Sequence, residues 1–315
     1  MPDQPAPRLA VLIPCYNEAE TIATVVAGFR TALPGARVYV YDNNSGDETA
    51  ARAAAAGAIV RRETLQGKGY VLRRMFADID ADIYVLVDGD GTYDAAAAPA
   101  LVARLTADRL DMVTGTRVSE IAAAYRPGHR LGNRVLTGLV QAVFGNRVSD
   151  MLSGYRVFSR RFVKSFPALA AGFEIETELT VHALELRMAV GEVPTTYGAR
   201  PVGSVSKLHT YRDGFRILRA ILVLVKEERP LQFFSLCGAA LLLAGFALGL
   251  PVVVTYFQTG LVPRLPTAVL ASGLVLLAFI AASLALILDS VAHGRRELKR
   301  LMYLGIPPVP SDDAG

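Results

Sequence analysis

This chain of 315 residues has two cysteines and no tryptophan, and two of its long stretches carry no charge. The only two cysteines, Cys15 and Cys237, lie far apart in the sequence, so no disulfide framework is available and a reducing compartment is indicated. Residues 1–8 are polar and proline-rich and do not resemble a secretory signal. The net charge of +4 is too small to indicate a nucleic-acid partner. We therefore expect a catalytic or binding part that faces the cytoplasm and does not act on nucleic acid.

Two stretches without charge, residues 233–257 and 267–288, are each long enough to cross roughly 30 Å of hydrocarbon as a helix. Helices of a soluble core are the alternative, but both stretches are apolar on every side. Basic residues flank the pair on its outer sides, and these are Lys226, Arg229, Arg295, Arg296, Lys299 and Arg300. The positive-inside rule then predicts a hairpin in the cell (inner) membrane with both flanks and both termini cytoplasmic. The same cations favour an anionic or phosphorylated lipid as partner.

Before the hairpin, residues 9–116 alternate between strand and helix patterns. Strands are predicted at residues 9–13, 38–41, 59–61, 83–87 and 112–114, and helices at 21–33, 49–56, 67–77 and 95–107. Such alternation predicts an α/β fold with a mostly parallel sheet, helices on both faces, and ligands at the carboxyl ends of the strands.

Two later segments, residues 131–144 and 211–229, place apolar side chains at helical spacing with arginines around them. Each fits an ordinary core-facing helix, but the second leads directly into the hairpin, which favours amphipathic helices on the membrane surface. The predicted division is a cytoplasmic catalytic domain at 1–210, a juxtamembrane helix at 211–230, two transmembrane helices at 231–290 and a cytoplasmic tail at 291–315.

The most informative segment is the apolar strand that ends in Asp88-Gly89-Asp90. Two carboxylates at one strand end repel each other unless a cation lies between them, and a hard divalent metal with a diphosphate supplies it. A solvated Asp/Gly turn is the plainer interpretation. A calcium EF-hand is excluded because a loop that starts at Asp88 has Tyr93 and Pro99 where glycine and glutamate are required.

Polar residues also follow the first two strands. Pro14-Cys15-Tyr16-Asn17-Glu18 ends the first strand, and the second ends in a segment from Asp42 to Thr49. Taken singly, each fits a helix cap, with Asn17 paired to Glu20 and Ser45 to Glu48. Together with the Asp88 segment they form one constellation around a nucleotide.

This constellation resembles the family 2 glycosyltransferases, and within them the dolichol-phosphate mannose synthase-like enzymes, over nearly the whole chain. The resemblance implies a GT-A-type domain and Mg²⁺ or Mn²⁺ held by Asp88 and Asp90. The implied contacts to a nucleotide sugar are Pro14, Tyr16, Glu18, Asp42, Lys68, Asp88 and Gly89. Asn43 and Thr92 stand where the family commonly has Asp and Gln, so neither the base, GDP or UDP, nor the sugar is identified.

Two further segments resemble family motifs that lie near the acceptor or contact phosphates. Residues 150–156 resemble the family's Ser-Gly-Phe-Arg segment, and residues 200–207 resemble its phosphate-contacting Arg-x-x-Gly-x-Ser-x-Lys loop. The implied acceptor-phosphate contacts are Arg117, His129, Arg130, Asn133, Arg134, Ser204 and Ser206, and the implied catalytic residues are Asp90, Arg117, Arg200 and Lys207. With no tryptophan, the Gln-x-x-Arg-Trp motif of the processive polysaccharide synthases is absent. Glu176 and Glu178 resemble an acidic pair in relatives or form a solvated face, and His182 is interpreted as an ordinary helical histidine.

The implied activity is that of an inverting, metal-dependent hexosyltransferase with an undecaprenyl or dolichyl monophosphate as acceptor. A phosphomonoester is largely ionised at neutral pH, because its second pKa is about 6, so cations that position it matter more than a general base. Two rivals stay open: a membrane-anchored glycosyltransferase or nucleotidyltransferase with a saccharide or other non-lipid acceptor, and a non-catalytic protein that binds the membrane surface. The sequence leaves open whether the protein is a monomer or a homo-oligomer.

Overall fold

The computed structural model describes residues 6–118, 129–145, 147–200 and 210–309, and the side chains of residues 129–134 and 210–213 lie outside that description. The chain divides into two compact units, Met1–Ile221 together with Lys299–Gly315, and Leu222–Leu298. The first unit contains the sheet, and the second is helical.

The strands are β1 (Leu9–Cys15), β2 (Arg37–Asp42), β3 (Ile59–Arg62), β4 (Ile83–Leu86), β5 (Met112–Val118), β6 (Arg156–Ser159) and β7 (Val190–Thr196). The helices around them are α1 (Ile22–Ala32), α2 (Thr49–Ala55), α3 (Lys68–Asp78), α4 (Ala98–Ala107), α5 (His129–Phe144), α6 (Arg160–Ser165) and α7 (Ile175–Glu185), with a 3₁₀ turn at Ala95–Ala97. Every strand and helix predicted between residues 9 and 116 is present, and β5 continues beyond its predicted end.

The seven strands form one sheet in the order β3-β2-β1-β4-β6-β5-β7. Strand β1 pairs in parallel with β2 and β4, whereas β6 runs antiparallel to both of its neighbours. The predicted mostly parallel α/β fold is therefore confirmed. The order reverses at β1, and ligands of open α/β sheets bind beyond the carboxyl ends of strands at such a point.

The sheet has helices on both faces because its inner strands are apolar on both. All four residues of β4 are buried. On one face, α1 contributes Val26 and Phe29 to the main apolar cluster. On the other, Phe76 of α3 makes edge contacts with the rings of Tyr84 and Phe158. The packing fixes the strand ends relative to one another.

The described residues 299–309 belong to the first unit and are anchored to it by polar contacts. Tyr303 donates a hydrogen bond of 2.9 Å to the fully buried carboxylate of Asp111, and its ring lies under the Arg161 guanidinium at 4.7 Å. Lys299 pairs with the buried Glu185 at 3.0 Å. These contacts join the tail to the start of β5 and the end of α7.

After α8 (Thr210–Glu228), the second unit contains α9 (Pro230–Thr259) and most of α10 (Leu265–Leu304), two helices long and apolar enough to be candidate membrane spans. Only 17% and 22% of their most apolar windows are buried, which is unlike the core helices of a soluble protein. Small residues allow the two helices to pack closely, since a Cβ on Gly245 would lie 3.2 Å from the carbonyl oxygen of Ala271 and 2.9 Å from Val275. Such small-residue contacts are typical of helix pairs in lipid.

Candidate active site

The carboxyl ends of β1, β2 and β4 lie side by side at one edge of the sheet. Cys15 is in register with Asp42, and the Val87 amide donates to the Leu12 carbonyl at 3.1 Å. Burial raises the pKa of the Cys15 thiol, and a set of four neighbouring carboxylates adds to the effect: Glu18, Asp42, Asp88 and Asp90. The three motif segments predicted from the sequence therefore do come together.

Hydrogen bonds join the first two segments to each other. The Asn17 amide donates to Ser45 Oγ at 2.9 Å, and Asn17 Oδ1 accepts from the Gly46 amide at 2.8 Å. Helix α1 begins after Thr21 and α2 after Glu48, so both capping-box interpretations are wrong. Glu18 is buried, and Tyr16 is 38% exposed. The loops thus present Pro14, Tyr16 and Glu18 along the edge where a base and ribose are predicted.

Asp42 and Asn43 have different tasks in this edge. Asp42 is 7% exposed; its Oδ2 accepts from the Ser45 amide, and its buried Oδ1 has no partner within the described part of the chain. Both the nitrogen and the oxygen of the Asn43 side-chain amide form hydrogen bonds within the protein. Its Nδ2 donates to the carbonyls of Glu63 and Leu65 at 3.0 and 2.7 Å, and its Oδ1 accepts from the Gly67 amide at 2.7 Å.

A carboxylate has no hydrogen to donate, so Asp at position 43 could not hold this loop in the same way. The departure at Asn43 is therefore explained by the fold around β2 and α3. Of these two residues, only Asp42 has a side-chain oxygen without a partner in the described part of the chain, and that oxygen is available to a ligand.

Asp90 is held rigidly. It is 5% exposed, and its Oδ1 accepts from both the amide and the hydroxyl of Thr92, at 3.1 and 2.6 Å. Its Oδ2 pairs with the Arg200 guanidinium at 2.5 Å. Thr92, which departs from the family's Gln, thus fixes the orientation of this carboxylate.

Two glycines allow close packing around the Asp88-Gly89-Asp90 segment. A Cβ on Gly89 would lie 2.6 Å from Cys15 Sγ, and one on Gly154 would collide with the Asp88 carboxylate. The Gly154 amide in turn donates to the Tyr93 hydroxyl at 2.8 Å. The loop after β4 and the loop before β6 therefore pack directly against each other at Asp88.

Lys68, the first residue of α3, bridges two carboxylates. Its Nζ lies 2.5 Å from Asp88 Oδ1 and 2.5 Å from Glu176 Oε1. Burial opposes the charge of Lys68, but Asp88 and Glu176 outweigh it and raise the lysine pKa. Glu176 is buried rather than on a solvated face, and that alternative is wrong. Glu178 accepts from the amides of Leu169 and Ala170.

Arg117, the implied acceptor-phosphate contact on β5, pairs with a carboxylate of its own. Its Nε and Nη2 donate to Asp150 at 2.8 and 2.6 Å, and its guanidinium lies 5.6 Å from the Tyr197 ring centre. Burial opposes its charge, but the Asp150 hydrogen bond outweighs it and raises the Arg117 pKa. Asp150 therefore orients Arg117.

Arg156, from the segment that resembles Ser-Gly-Phe-Arg, is fully buried and has an internal role. Its guanidinium donates to the carbonyls of Ser153 and Met151 and to the Thr180 hydroxyl. It pins the loop of residues 151–155 to α7, which places Gly154 against Asp88. Arg156 shapes the site without reaching it.

Seven of the predicted acceptor-side contacts lie outside the description. Ser204, Ser206 and Lys207 lie outside the described residues, as do the side chains of His129, Arg130, Asn133 and Arg134. His182 is buried in α7, with Nε2 3.2 Å from Ser165 Oγ and its ring against Phe162 and Phe166.

The sequence alone did not indicate the residues whose contacts hold the site together. These are Asn43, Asp150, Gly154 and the buried Glu176. A signal existed for Glu176, because Ile175, Leu179 and Ala183 place it within an apolar helix rather than on a polar face. Asp150 and Gly154 carry no comparable signal, since their partners lie far away in the sequence.

The donor set suits a hard divalent ion that shares its coordination with a diphosphate. Within the described ranges, no group of three or more His, Cys, Asp or Glu side chains is arranged around one point. Asp88 and Asp90 supply carboxylate oxygens, and such ions take phosphate oxygens and water for the remaining positions. The residues present therefore fit a metal that binds together with a nucleotide diphosphate.

Comparison with known proteins finds a matching family and several similar proteins. The family described as "Glycosyl transferase family 2" matches residues 10–166. Glycosyltransferase AglJ of Haloferax volcanii is 37% identical over 254 residues, which are 79% of this chain and 81% of that protein. A dolichyl-phosphate hexose transferase of the same organism is 27% identical over 221 residues, 70% of this chain and 95% of that protein.

A solved structure with the same fold holds a metal, a nucleotide sugar and a phosphorylated acid. It is glucosyl-3-phosphoglycerate synthase of Mycobacterium tuberculosis in complex with Mn²⁺, UDP-glucose and phosphoglyceric acid. The TM-score is 0.57 at 25% identity, and the match covers 69% of this chain and 79% of that one.

Proposed function

Because the chain belongs to glycosyltransferase family 2, we propose that it transfers a hexose from a nucleotide sugar to a polyprenyl monophosphate. One observation carries the proposal: the candidate active site and two candidate membrane spans are parts of the same chain. The dolichyl-phosphate hexose transferase among its relatives supports a lipid phosphate as acceptor.

The donor nucleoside lies along the edge formed by Pro14, Tyr16, Glu18 and Asp42 in this proposal. The buried Asp42 Oδ1 accepts a hydrogen bond from the base or ribose, which gives that oxygen the partner it lacks among the described residues. The diphosphate then extends toward Asp88 and Asp90, where Lys68 and Arg200 add positive charge.

Asp88 and Asp90 would hold Mg²⁺ or Mn²⁺, which when bound neutralises charge on the departing nucleoside diphosphate. The protein holds the two carboxylates in fixed orientations for this step. Thr92 orients Asp90, and Lys68 orients Asp88. A site whose charges are already in place at the start of the reaction stabilises the developing charge without rearrangement.

On the acceptor side, the phosphate oxygen is already ionised and needs positioning rather than a base. Arg117, oriented by Asp150, supplies one cation for the acceptor, and Lys207 in the 200–207 loop supplies another. The oxygen attacks the anomeric carbon in line as the bond to the diphosphate oxygen breaks. The anomeric configuration is inverted, and the nucleoside diphosphate leaves.

The membrane arrangement is part of the same proposal. Residues 1–210 act in the cytoplasm, residues 211–230 lie on the membrane surface, and residues 231–290 cross the membrane twice, with the tail at 291–315 cytoplasmic. A cysteine introduced at Thr259 should then react with a membrane-impermeant maleimide from outside intact cells, and one introduced at Ser311 should not. The reverse pattern would contradict the orientation.

The activity is tested with purified protein in detergent, undecaprenyl phosphate, Mg²⁺ or Mn²⁺, and a panel of radiolabelled UDP- and GDP-sugars. We expect lipid label from one donor, and we expect Asp90→Asn to abolish it. Asp108→Asn is the matched control, because Asp108 is an exposed residue at the end of α4. Lipid label that survives Asp90→Asn would contradict the assigned site.

A second candidate acceptor is a small phosphorylated acid, because the solved structure with this fold holds phosphoglyceric acid. The hairpin would then act as an anchor only. This candidate predicts a water-soluble labelled product that forms equally well without lipid phosphate.

A further inference from the structure

Each carboxylate of the proposed metal pair carries a protein cation. Lys68 Nζ lies 2.5 Å from Asp88 Oδ1, and the Arg200 guanidinium lies 2.5 Å from Asp90 Oδ2. Lys68 is also shared with a third carboxylate, Glu176, again at 2.5 Å. The three groups form a chain in the order Glu176, Lys68, Asp88.

This chain of charges is fixed in place. The side chain of Lys68 is 9% exposed and that of Glu176 is 7% exposed. Lys68 is the first residue of α3, and Glu176 lies in the first turn of α7. A hydrogen bond of 3.0 Å from the Gly69 amide to the Ala171 carbonyl joins the start of α3 to the segment that precedes α7. The ammonium therefore stays beside Asp88.

An ammonium in that place opposes a second cation on the same carboxylate. At a few ångströms and in a partly buried site, repulsion between like charges changes a binding constant by about ten-fold or more. A diphosphate brings negative charge that offsets this repulsion, so the ion binds well when the nucleotide is present. Glu176 moderates the effect, since it neutralises part of the lysine charge from the other side.

Building on the proposed function, we propose that Lys68, held by Glu176, makes divalent-metal binding at Asp88 and Asp90 dependent on the nucleotide diphosphate. Metal and nucleotide are then taken up together. Lys68 acts here as a positioning residue for the metal pair, and Glu176 sets how strongly its charge is felt.

The two side chains have opposite predicted effects on metal affinity. Lys68→Met removes the competing cation, so Mn²⁺ should bind the nucleotide-free protein about ten-fold more tightly or better. Glu176→Gln keeps a carbonyl oxygen for Lys68 but leaves its charge unshared, so nucleotide-free Mn²⁺ binding should weaken by at least a few-fold. A purely structural role would weaken binding in both variants.

The measurement is Mn²⁺ titration of the full-length protein in detergent, followed by the electron paramagnetic resonance signal of free Mn²⁺, without nucleotide and with UDP or GDP. The parent should bind Mn²⁺ about ten-fold more tightly with one of the two nucleotides, and Lys68→Met should lose most of that difference. Lys164→Met is the matched control, because Lys164 donates to the carbonyls of Phe76 and Ile79 and pairs with no carboxylate among the described residues. It should titrate like the parent.

Lys68→Met leaves Glu176 buried without its cation and can fail to fold. The double variant Lys68→Met/Glu176→Gln avoids this and should also bind nucleotide-free Mn²⁺ more tightly than the parent. Binding by both variants that is no tighter than the parent's would overturn the inference, and so would a parent that binds Mn²⁺ equally well with and without nucleotide.

The titration is independent of the acceptor. If lipid labelling occurs but the variants bind nucleotide-free Mn²⁺ no differently from the parent, the metal inference fails and the transferase proposal stands. If the variants differ from the parent in Mn²⁺ affinity as predicted but no lipid is labelled, the proposed acceptor is wrong instead.

Discussion

The substitution Asn43→Asp tests whether this residue is a structural link. It keeps the side-chain shape but replaces the NH₂ group, which donates at 3.0 and 2.7 Å to the carbonyls of Glu63 and Leu65, with an acceptor oxygen. Asn43 is 4% exposed, so water does not replace the lost donor. Two lost hydrogen bonds with buried carbonyls left unsatisfied cost about 3 kcal/mol. In a domain of this size that lowers Tm by about 6 to 12 °C.

The pH dependence of this loss has a definite sign. Burial and the two carbonyls raise the pKa of the new carboxyl in the folded state above its unfolded value of about 3.9. The penalty is therefore full above the folded-state pKa and shrinks as the pH falls toward the unfolded value. Circular-dichroism melts in detergent should show a smaller gap from the parent at pH 5 than at pH 8.

Asn44→Asp is the matched control, because Asn44 is less buried and its contacts to Thr64 and Gln66 lie at the surface. It should change Tm by only a few degrees. An Asn43→Asp protein that melts with the parent at pH 8 would refute the assignment of Asn43 as a structural link.

Three further predictions address other parts of the molecule. Gly154→Ala forces the Asp88 carboxylate to move and should lower kcat/KM about 100-fold with little change in Tm; unchanged kinetics would show that the loop simply yields. Tyr303→Phe removes a hydrogen bond to the fully buried Asp111 and should cost about 1–2 kcal/mol in melts, and a tail that merely rests on the domain would show no loss. Gly245→Leu should separate α9 from α10 and lower the Tm of the hairpin, whereas Gly273→Leu, where a Cβ meets nothing within 4 Å, should not; equal effects would argue against this packing.

The sheet up to β5 could be predicted because each element is short and its apolar pattern is local. Strand β4 is a continuous apolar run, and Ile22, Val26 and Phe29 follow one face of α1. Once the alternation is known, the rules of parallel sheets place the three motif segments at one edge. Strands β6 and β7 were not predicted, because β6 begins with the charged Arg156 and the apolar pattern of β7 is interrupted by Gly191, Glu192 and Pro194.

The supporting contacts of the site could not be predicted, because their partners are distant in sequence. Lys68 and Glu176 are separated by 108 positions, and Arg117 and Asp150 by 33. Charge pairs of this kind arise from the way α7 and the loop before β6 return to the sheet. The sequence shows which residues carry charge, whereas the fold decides which of them neutralise one another.

The most direct test of the proposed function places both acceptors in competition. The protein is incubated with undecaprenyl phosphate in detergent, 3-phosphoglycerate, Mn²⁺ and one labelled nucleotide sugar at a time, and the organic and aqueous phases are counted separately. The proposed function predicts organic-phase label from one donor in the parent and none with Asp90→Asn. Labelled product confined to the aqueous phase would contradict a lipid phosphate as the acceptor.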